Sequence, residues 1–178
     1  MRIFLSVILF LFTAFQSANA GGIPGALAGI LSTLNLEIQG KVIRVLDGDT
    51  IEIKTLPAKI VVYEVPIRVR LINIDAPEKK QPFGRWSTSQ LKTLVAGKQV
   101  TVSYSHKDRY GRIIGHVFTR NGTDASRFMV QSGAAWVYER YNVDESLPAL
   151  QREAQEQKRG LWADANPVPP WEWRYKHN

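Results

Sequence analysis

Four short segments of the chain hold the residue types that chemistry on a phosphate diester requires. In chain order they are Asp47-Gly48-Asp49-Thr50, Arg70-Leu71-Ile72-Asn73-Ile74-Asp75-Ala76-Pro77-Glu78, Asp108-Arg109-Tyr110-Gly111-Arg112 and the aromatic residues Trp136, Tyr138 and Tyr141. A hard divalent cation takes carboxylates, backbone carbonyls and waters, so it needs neither His nor Cys beside the acids. Arginine offers a planar, permanently charged fork that matches phosphate oxygens. Together the segments predict a metal-assisted phosphodiesterase.

The charged residues of these segments divide into metal ligands, a base and phosphate binders. Neighbouring strands lie about 4.8 Å apart, so Asp49 and Asp75 can share one cation if the second and third strands are neighbours. Glu78 follows Asp75 beyond a stiff proline turn, and we expect it to act on a metal-bound or nearby water. Arg70 and Arg112 are the candidates for binding the phosphate.

Each segment taken alone also has a simpler interpretation. Asp-Gly at 47–48 is typical of a turn and Tyr-Gly-Arg at 110–112 of a hairpin connection. An Asp-Ala-Pro-Glu segment is often a loop with a solvated acid, and the aromatic residues at 136–141 are typical of core or surface packing. Their occurrence together, in this order, favours a single site.

Composition narrows the chemistry further. The 178 residues include 23 Lys and Arg, 16 Asp and Glu, 3 His and no Cys. A chain without Cys has no disulfide framework, thiolate zinc site, iron–sulfur cluster or Cys nucleophile. The basic excess lies in residues 79–127, which hold ten basic and two acidic groups. Positive charge concentrated in this way attracts polyanions, nucleic acids first among them, although a merely solvated basic surface remains the alternative.

Residues 1–20 are predicted to be a signal peptide. Arg2 precedes an apolar stretch, 3–15, and the small-x-small cleavage site Ala18-Asn19-Ala20. Cleavage there predicts an exported protein, periplasmic or secreted, whereas an uncleaved leader would anchor the chain in a membrane. The apolar leader at 21–37 is left open between a propeptide, a flexible segment and a contact with the membrane surface. Its glycines and proline argue against one continuous spanning helix.

The remaining pattern is one of strands first and helices later. Period-two alternation and turn signals predict five strands, at 41–46, 50–54, 66–74, 98–104 and 112–119. Helices are predicted at 83–95, 124–131 and 147–159, with Ser87 and Gln90 as an alternative capping box for the first. The tail at 163–178 is rich in Pro and Trp and is predicted to be irregular from 167. The fold class predicted is α+β, mainly β: a five-stranded, OB-like Greek-key barrel with about three helices, over residues 38–162.

The motifs resemble those of the staphylococcal nuclease (thermonuclease) family, in the form of a secreted bacterial homologue. The resemblance rests on four motifs: Val45-Leu46-Asp47-Gly48-Asp49-Thr50, Arg70 spaced five residues from Asp75-Ala76-Pro77-Glu78, Asp108 to Arg112, and the closing Gly160-Leu161-Trp162 with the tail Pro169-Pro170-Trp171-Glu172-Trp173-Arg174. It covers about residues 38–162. It implies a calcium-dependent endonuclease that hydrolyses DNA and RNA and leaves 3′-phosphate ends.

The resemblance also assigns roles to individual residues. Asp49, Asp75 and the backbone carbonyl of Ala76 match the calcium ligands, Glu78 the general base, and Arg70 and Arg112 the two phosphate-binding arginines. The residues expected at the substrate are Lys79, Lys80, Lys107, Arg109, Tyr110 and Tyr141. Two features depart from the family pattern. The loop after Glu78 is short, and the base-stacking tyrosines match poorly, since Tyr138 is a near miss and Glu139 stands where a tyrosine is expected.

Two other functions stay open at this point. A related barrel without catalysis could serve as a nucleic-acid binding module, but all five charged site residues are present. An oligosaccharide-binding OB barrel could use Trp171 and Trp173 as sugar platforms, but it leaves the basic middle third unexplained. The sequence indicates no obligate protein partner, and we expect a monomer.

Overall fold

Five β-strands close into a barrel in the computed structural model, which describes residues 36–55 and 66–177. The strands are β1 (Leu36–Val45), β2 (Thr50–Thr55), β3 (Ile67–Leu71), β5 (Gln99–Lys107) and β6 (Ile113–Thr119); the short strands β4 (Ile74–Asp75) and β7 (Trp136–Val137) pair separately. The order around the barrel is β1-β2-β3-β6-β5. Within this described barrel every neighbouring pair is antiparallel except β3 and β6, which run parallel. The predicted OB-like, mainly β fold is confirmed.

Apolar residues at alternate strand positions fill the barrel. Ile51 and Ile53 on β2, and Val69 and Leu71 on β3, are fully buried. Along β6 every second residue is buried and the residues between are half-buried, as the period of two requires. Burying one such aliphatic side chain contributes about 1.5–3 kcal/mol, so the barrel interior is the main source of stability.

The third predicted strand, 66–74, is interrupted in the structure. It leaves the barrel after Leu71 and resumes as β4 at Ile74, because Asn73 adopts a left-handed backbone (φ 70°). The Asn73 side chain accepts a hydrogen bond of 3.1 Å from the Val143 backbone N–H, which anchors the turn to a distant loop. The break turns the chain, so Asp75 follows a corner and not a continuous strand.

Four helices of the described residues surround the barrel, one more than predicted. They are α1 (Gly84–Val95), α2 (Ala125–Gln131), α3 (Leu147–Glu156) and α4 (Pro170–His177), with 3₁₀ turns at Glu139–Tyr141 and Gly160–Ala163. Helix α3 ends three residues before its predicted end. The backbone turns left-handed at Lys158 (φ 51°), and the Arg159 N–H bonds the Ala154 carbonyl. None of the described helices has the length and apolar character needed to cross a membrane.

Helix α1 begins at the earlier of its two predicted starts. Phe83 is the N-cap residue in a left-handed conformation (φ 63°), and Ser87 lies buried one turn inside the helix. The capping box at Ser87 is therefore wrong. Ser87, Leu91 and Val95 share the buried face because residues four apart lie on one side of a helix.

The prediction of an irregular C-terminal tail is also wrong. The prolines all precede or open α4, and proline at the first position of a helix is favourable because its missing N–H has no intrahelical partner there. Glu172 in the first turn and basic residues in the last turn complement the helix dipole. The predictions for residues 1–35, namely the signal peptide and most of the leader, lie outside the described residues.

His116 links the barrel to α2 and makes stability depend on pH. Its Nδ1 lies 3.0 Å from a carboxylate oxygen of Asp124, whose other oxygen caps α2 by accepting from the Arg127 N–H. The hydrogen bond to Asp124 raises the pKa of His116 above its usual 6.5. Because the pKa of His116 is higher in the folded state, its charged form stabilises the fold at pH values below the unfolded-state pKa. This stabilisation is lost as the pH rises through the folded-state pKa.

We therefore expect the free energy of unfolding of the wild-type chain to fall, as pH rises from 5.5 to 8.5, by more than that of His116→Gln. Urea unfolding of both proteins at the two pH values measures this difference. Comparison with the variant removes the contributions of all other titrating groups. An equal pH dependence of the two proteins would show that this ion pair does not couple to folding.

Candidate active site

The β2–β3 pairing brings the first two acidic motifs together. Thr50 at the start of β2 lies opposite Arg70 on β3. The Arg70 Nη2 atom is 3.3 Å from an oxygen of Asp49 and 2.8 Å from an oxygen of Asp75. The second and third strands are thus neighbours, as the shared-cation hypothesis requires, and both carboxylates converge on one guanidinium nitrogen.

Local hydrogen bonds fix the Asp49 carboxylate. One oxygen accepts from the Thr50 hydroxyl at 2.8 Å, and the other accepts from the Ala76 backbone N–H at 3.1 Å. The Asp47 side chain accepts a hydrogen bond of 3.1 Å from the Asp49 backbone N–H. Asp47 is therefore a turn residue that supports Asp49. Asp49 and Ala76 are both buried. The acid therefore has one fixed orientation toward Asp75.

Burial makes negative charge costly at this place. Desolvation, with the neighbouring charge of Asp49, raises the pKa of Asp47 to about 7. Desolvation likewise raises the pKa of Asp75, against the opposing hydrogen bond from Arg174. Removing a carboxylate from water disfavours its charged form unless cations compensate it. The site therefore attracts positive charge.

Arg174 on α4 supplies positive charge to the site, and its position there was not predicted from the sequence. Its Nη2 is 2.7 Å from one oxygen of Asp75 and its Nη1 is 3.2 Å from the other. The same Nη1 is 2.8 Å from an oxygen of Glu78. The only signal in the sequence was the tail motif 169–174, in which no role was assigned to Arg174. The C-terminal helix is therefore part of the site.

Glu78 sits on a short loop that two neighbours hold in place. Gln81 is buried; its side chain accepts from the Glu78 N–H at 3.0 Å and donates to the Val168 carbonyl at 2.6 Å. At the start of α1, a Cβ on Gly84 would lie 1.9 Å from the Glu78 carbonyl oxygen, so only glycine permits this approach. Gln81 and Gly84 position Glu78, and sequence reasoning missed both.

Arg112 lies apart from the carboxylates in this structure. Its Nε donates to Asp108 at 2.8 Å, and Asp108 also accepts from the backbone N–H groups of Tyr110 and Arg112. These bonds outweigh desolvation and lower the pKa of Asp108. The Arg112 guanidinium faces the Tyr110 ring at 5.6 Å. Within residues 36–55 and 66–177, no ion pair joins Arg112 to Asp49, Asp75 or Glu78.

The predicted substrate-binding residues are exposed. This holds for Lys79, Lys80, Lys107, Arg109, Tyr110 and Tyr141. Arg109 lies over the Tyr110 ring at 4.8 Å, so the two form one cationic and aromatic surface. Tyr141 packs edge-on against Tyr138 at 5.0 Å. Trp171 of α4 stacks on Tyr138 at 5.4 Å, so the tail also covers the predicted base-stacking region.

The donor chemistry fits a hard divalent cation. Asp49, Asp75 and the carbonyl of Ala76 offer only oxygen, and the two carboxylates already converge on a cation, the Arg70 guanidinium. In the part of the chain that the structure describes, no three His, Asp or Glu side chains are grouped closely enough to hold a metal ion. Two carboxylates would therefore need backbone and water ligands beside them, which calcium and magnesium both accept.

The chain is similar to proteins that are named as nucleases. Residues 68–164 match the family model described as staphylococcal nuclease homologue. An uncharacterized endonuclease of Escherichia coli is 59% identical over 140 residues, which cover 79% of this chain and 87% of that protein. A micrococcal nuclease of Shigella flexneri is 38% identical over 148 residues, 78% of this chain and 81% of its own length. An uncharacterized endonuclease of Haemophilus influenzae is 40% identical over 134 residues, 75% and 71% of the two chains.

The closed five-stranded barrel, with paired carboxylates and an arginine at one end of β2 and β3, defines the chain as an OB-type barrel. The family model covers more than half of the chain, and the relatives span most of it. The chain belongs to the staphylococcal nuclease family. The resemblance predicted from the motifs is confirmed.

Proposed function

We propose that this chain is a calcium-dependent endonuclease that hydrolyses DNA and RNA and leaves 3′-phosphate ends. One observation carries the proposal. In a chain of this family, Asp49 and Asp75 converge on the Arg70 guanidinium, and Glu78 is paired with Arg174 beside them. Calcium would be held by Asp49, Asp75 and the Ala76 carbonyl. When bound there, it supplies positive charge that neutralises a phosphate oxygen.

The side chains of the site have distinct tasks in this reaction. Glu78, whose side chain is 43% exposed, can reach water and accept the proton that the attacking water loses. The water oxygen bonds to phosphorus in line with the leaving 5′ oxygen, so the P–O5′ bond breaks and the 5′ oxygen takes up a proton from solvent to become a hydroxyl. Arg70 and Arg112 bind the equatorial oxygens, where negative charge builds. The Arg112 Nε is paired with Asp108, and the remaining N–H donors on its Nη atoms can bind the phosphate.

The sugar-binding alternative finds less support. Trp171 packs on Tyr138 and Trp136, and Trp173 stacks on His177 at 3.8 Å. Both proposed sugar platforms are thus half-buried and packed against other rings of the protein. A silent nucleic-acid binding module differs from an enzyme only in turnover, so an activity assay separates the two.

Degradation of plasmid DNA and of RNA tests the proposal directly. We expect degradation of both with added calcium, and none with a chelator in excess. Magnesium, which is smaller and stricter in geometry, is expected to support less turnover. Asp75→Asn, which removes one ligand charge, is the control for a contaminating nuclease. Full activity in chelator, or equal rates with both ions, would contradict the role given to calcium.

Four exposed basic residues are expected to act on substrate affinity through charge. Changing all four to Gln is expected to weaken binding of single-stranded DNA and to reduce its salt slope by about 0.7 per lost phosphate contact. The four are Lys79, Lys80, Lys107 and Arg109. Fluorescence anisotropy in chelator measures binding without turnover. The control changes four exposed basic residues on other elements to Gln, namely Lys54, Lys92, Arg120 and Lys158. An equal loss of slope in both variants would contradict a localised interface.

We also propose that residues 1–20 direct export and are removed. The basic residue, the apolar stretch and the small-x-small site support this. N-terminal sequencing of the protein recovered from the periplasm or the medium is expected to begin at Gly21. An intact N-terminus in the membrane fraction would favour the anchored alternative.

A further inference from the structure

The C-terminal helix α4 places a cation on Asp75, an acid that the proposed function gives to calcium, and on Glu78, the proposed general base. Both oxygens of Asp75 accept from the Arg174 guanidinium, at 2.7 and 3.2 Å, and Glu78 accepts at 2.8 Å. A planar guanidinium that bonds a carboxylate through two nitrogens makes one of the strongest charge-assisted contacts in proteins. Asp75 is 1% exposed, so this contact is shielded from water.

Several contacts hold the helix over the site. Gln81 bonds the Val168 carbonyl, Pro170 is buried, and Trp171 packs on Tyr138 and Trp136. Arg174 follows Trp171 by one helical turn, so the same face that anchors α4 presents the guanidinium to Asp75. The ion pair therefore depends on a docked helix and not on a free side chain.

We propose that Arg174 is an internal competitor of the divalent cation for Asp75, and that it occupies the general base Glu78 while it is bound there. The inference rests on the proposed function for the identity of the ligands. A guanidinium and a divalent cation on the same carboxylate repel each other, so each weakens binding of the other. Because such coupling is reciprocal, calcium binding loosens the hold of α4 on Asp75 and frees Glu78 to act as a base. The tail then sets the calcium concentration at which the enzyme becomes active.

Calcium binding without substrate tests this competition without relying on activity. Isothermal titration with calcium chloride is expected to show a Kd at least about tenfold lower in Arg174→Gln than in the wild-type chain. Even with the full screening of water, a unit charge a few ångström from a divalent ion has an effect of this size. Lys176→Gln removes the same charge from an exposed position of α4 and is the matched control, with an expected change under about twofold.

The outcomes separate this proposal from the proposed function. An equal or weaker calcium affinity in Arg174→Gln overturns the competition and leaves the calcium site standing. No calcium binding by either protein overturns the competition together with the metal in the proposed function. If Arg174→Gln misfolds by circular dichroism, Arg174→Met takes its place, because it also removes the charge and keeps an aliphatic stem of similar packing. A Kd lower than wild type is expected, and an unchanged Kd overturns the proposal.

Discussion

Replacing Arg112 by Lys is expected to lower kcat by about a hundred- to thousand-fold, with KM nearly constant. Lysine keeps the charge and loses the planar fork that matches two phosphate oxygens. Removing one preorganised donor to a developing charge costs about 3–4 kcal/mol in the transition state. Loss of an interaction made only in the transition state lowers kcat and kcat/KM together. Steady-state kinetics on single-stranded DNA with calcium measure the effect.

Arg109 is the matched control for Arg112. It lies on the same turn and carries the same charge, but it is exposed and its guanidinium lies over the Tyr110 ring. Arg109→Lys is expected to cost less than about 0.5 kcal/mol, the range of ordinary surface changes. The competing interpretation is that Arg112 only closes the turn through its 2.8 Å pair with Asp108. In that case Arg112→Lys would lower the melting temperature and leave kcat of the folded protein unchanged.

Glu78→Gln is expected to lower kcat by about a hundred- to ten-thousand-fold, the usual contribution of a general base. Glutamine has the same shape, and its carbonyl oxygen can still accept the hydrogen bond from Arg174, but it cannot take a proton from water. KM is expected to change little because Glu78 is assigned no contact with the phosphate. Rapid-quench kinetics over one turnover separate the chemical step from product release.

An exposed glutamate beside the aromatic residues provides the comparison for Glu78. Glu139 lies on the 3₁₀ turn between Tyr138 and Tyr141 and is exposed. Glu139→Gln changes the net charge in the same way, so any general effect on attraction of a polyanion appears in both variants. A kcat for Glu78→Gln as high as that of Glu139→Gln would remove Glu78 from the proton-transfer role.

Local patterns predicted most of the barrel because its strands alternate cleanly and end at turn residues. Asp47-Gly48 and Asp108 to Gly111 end their strands where expected. The interruption at Asn73 was not predictable, since an asparagine within an apolar run gives no local sign that a loop 70 residues later will fix it. The α4 helix was missed because proline was counted as a breaker without regard to its position.

The part of the candidate site that was predictable is formed by residues on consecutive strands. The β2–β3 register brings Asp49, Arg70 and Asp75 together through short-range pairing. Arg174 and Gln81 act across long stretches of chain, and their charge or polarity alone does not say which partner they meet. The roles of the predicted residues stay predictions until the variants are measured.

The parallel contact between β3 and β6 has a consequence for the order of folding. Val69 pairs with Ile113 and Arg70 with Ile114, residues that α1 and β5 separate in the chain. The β1–β2 and β5–β6 hairpins can form from local sequence, but this closure must wait for a long loop to be ordered, which slows folding. Arg70 and Arg112 lie on opposite sides of that closing edge. A chain with β1, β2 and β3 paired and the β5–β6 hairpin formed, but with the barrel still open, therefore holds Asp49, Arg70 and Asp75 without Arg112 on the facing edge. On the proposed function its phosphate site is incomplete, so we expect catalytic competence only with the last step of assembly.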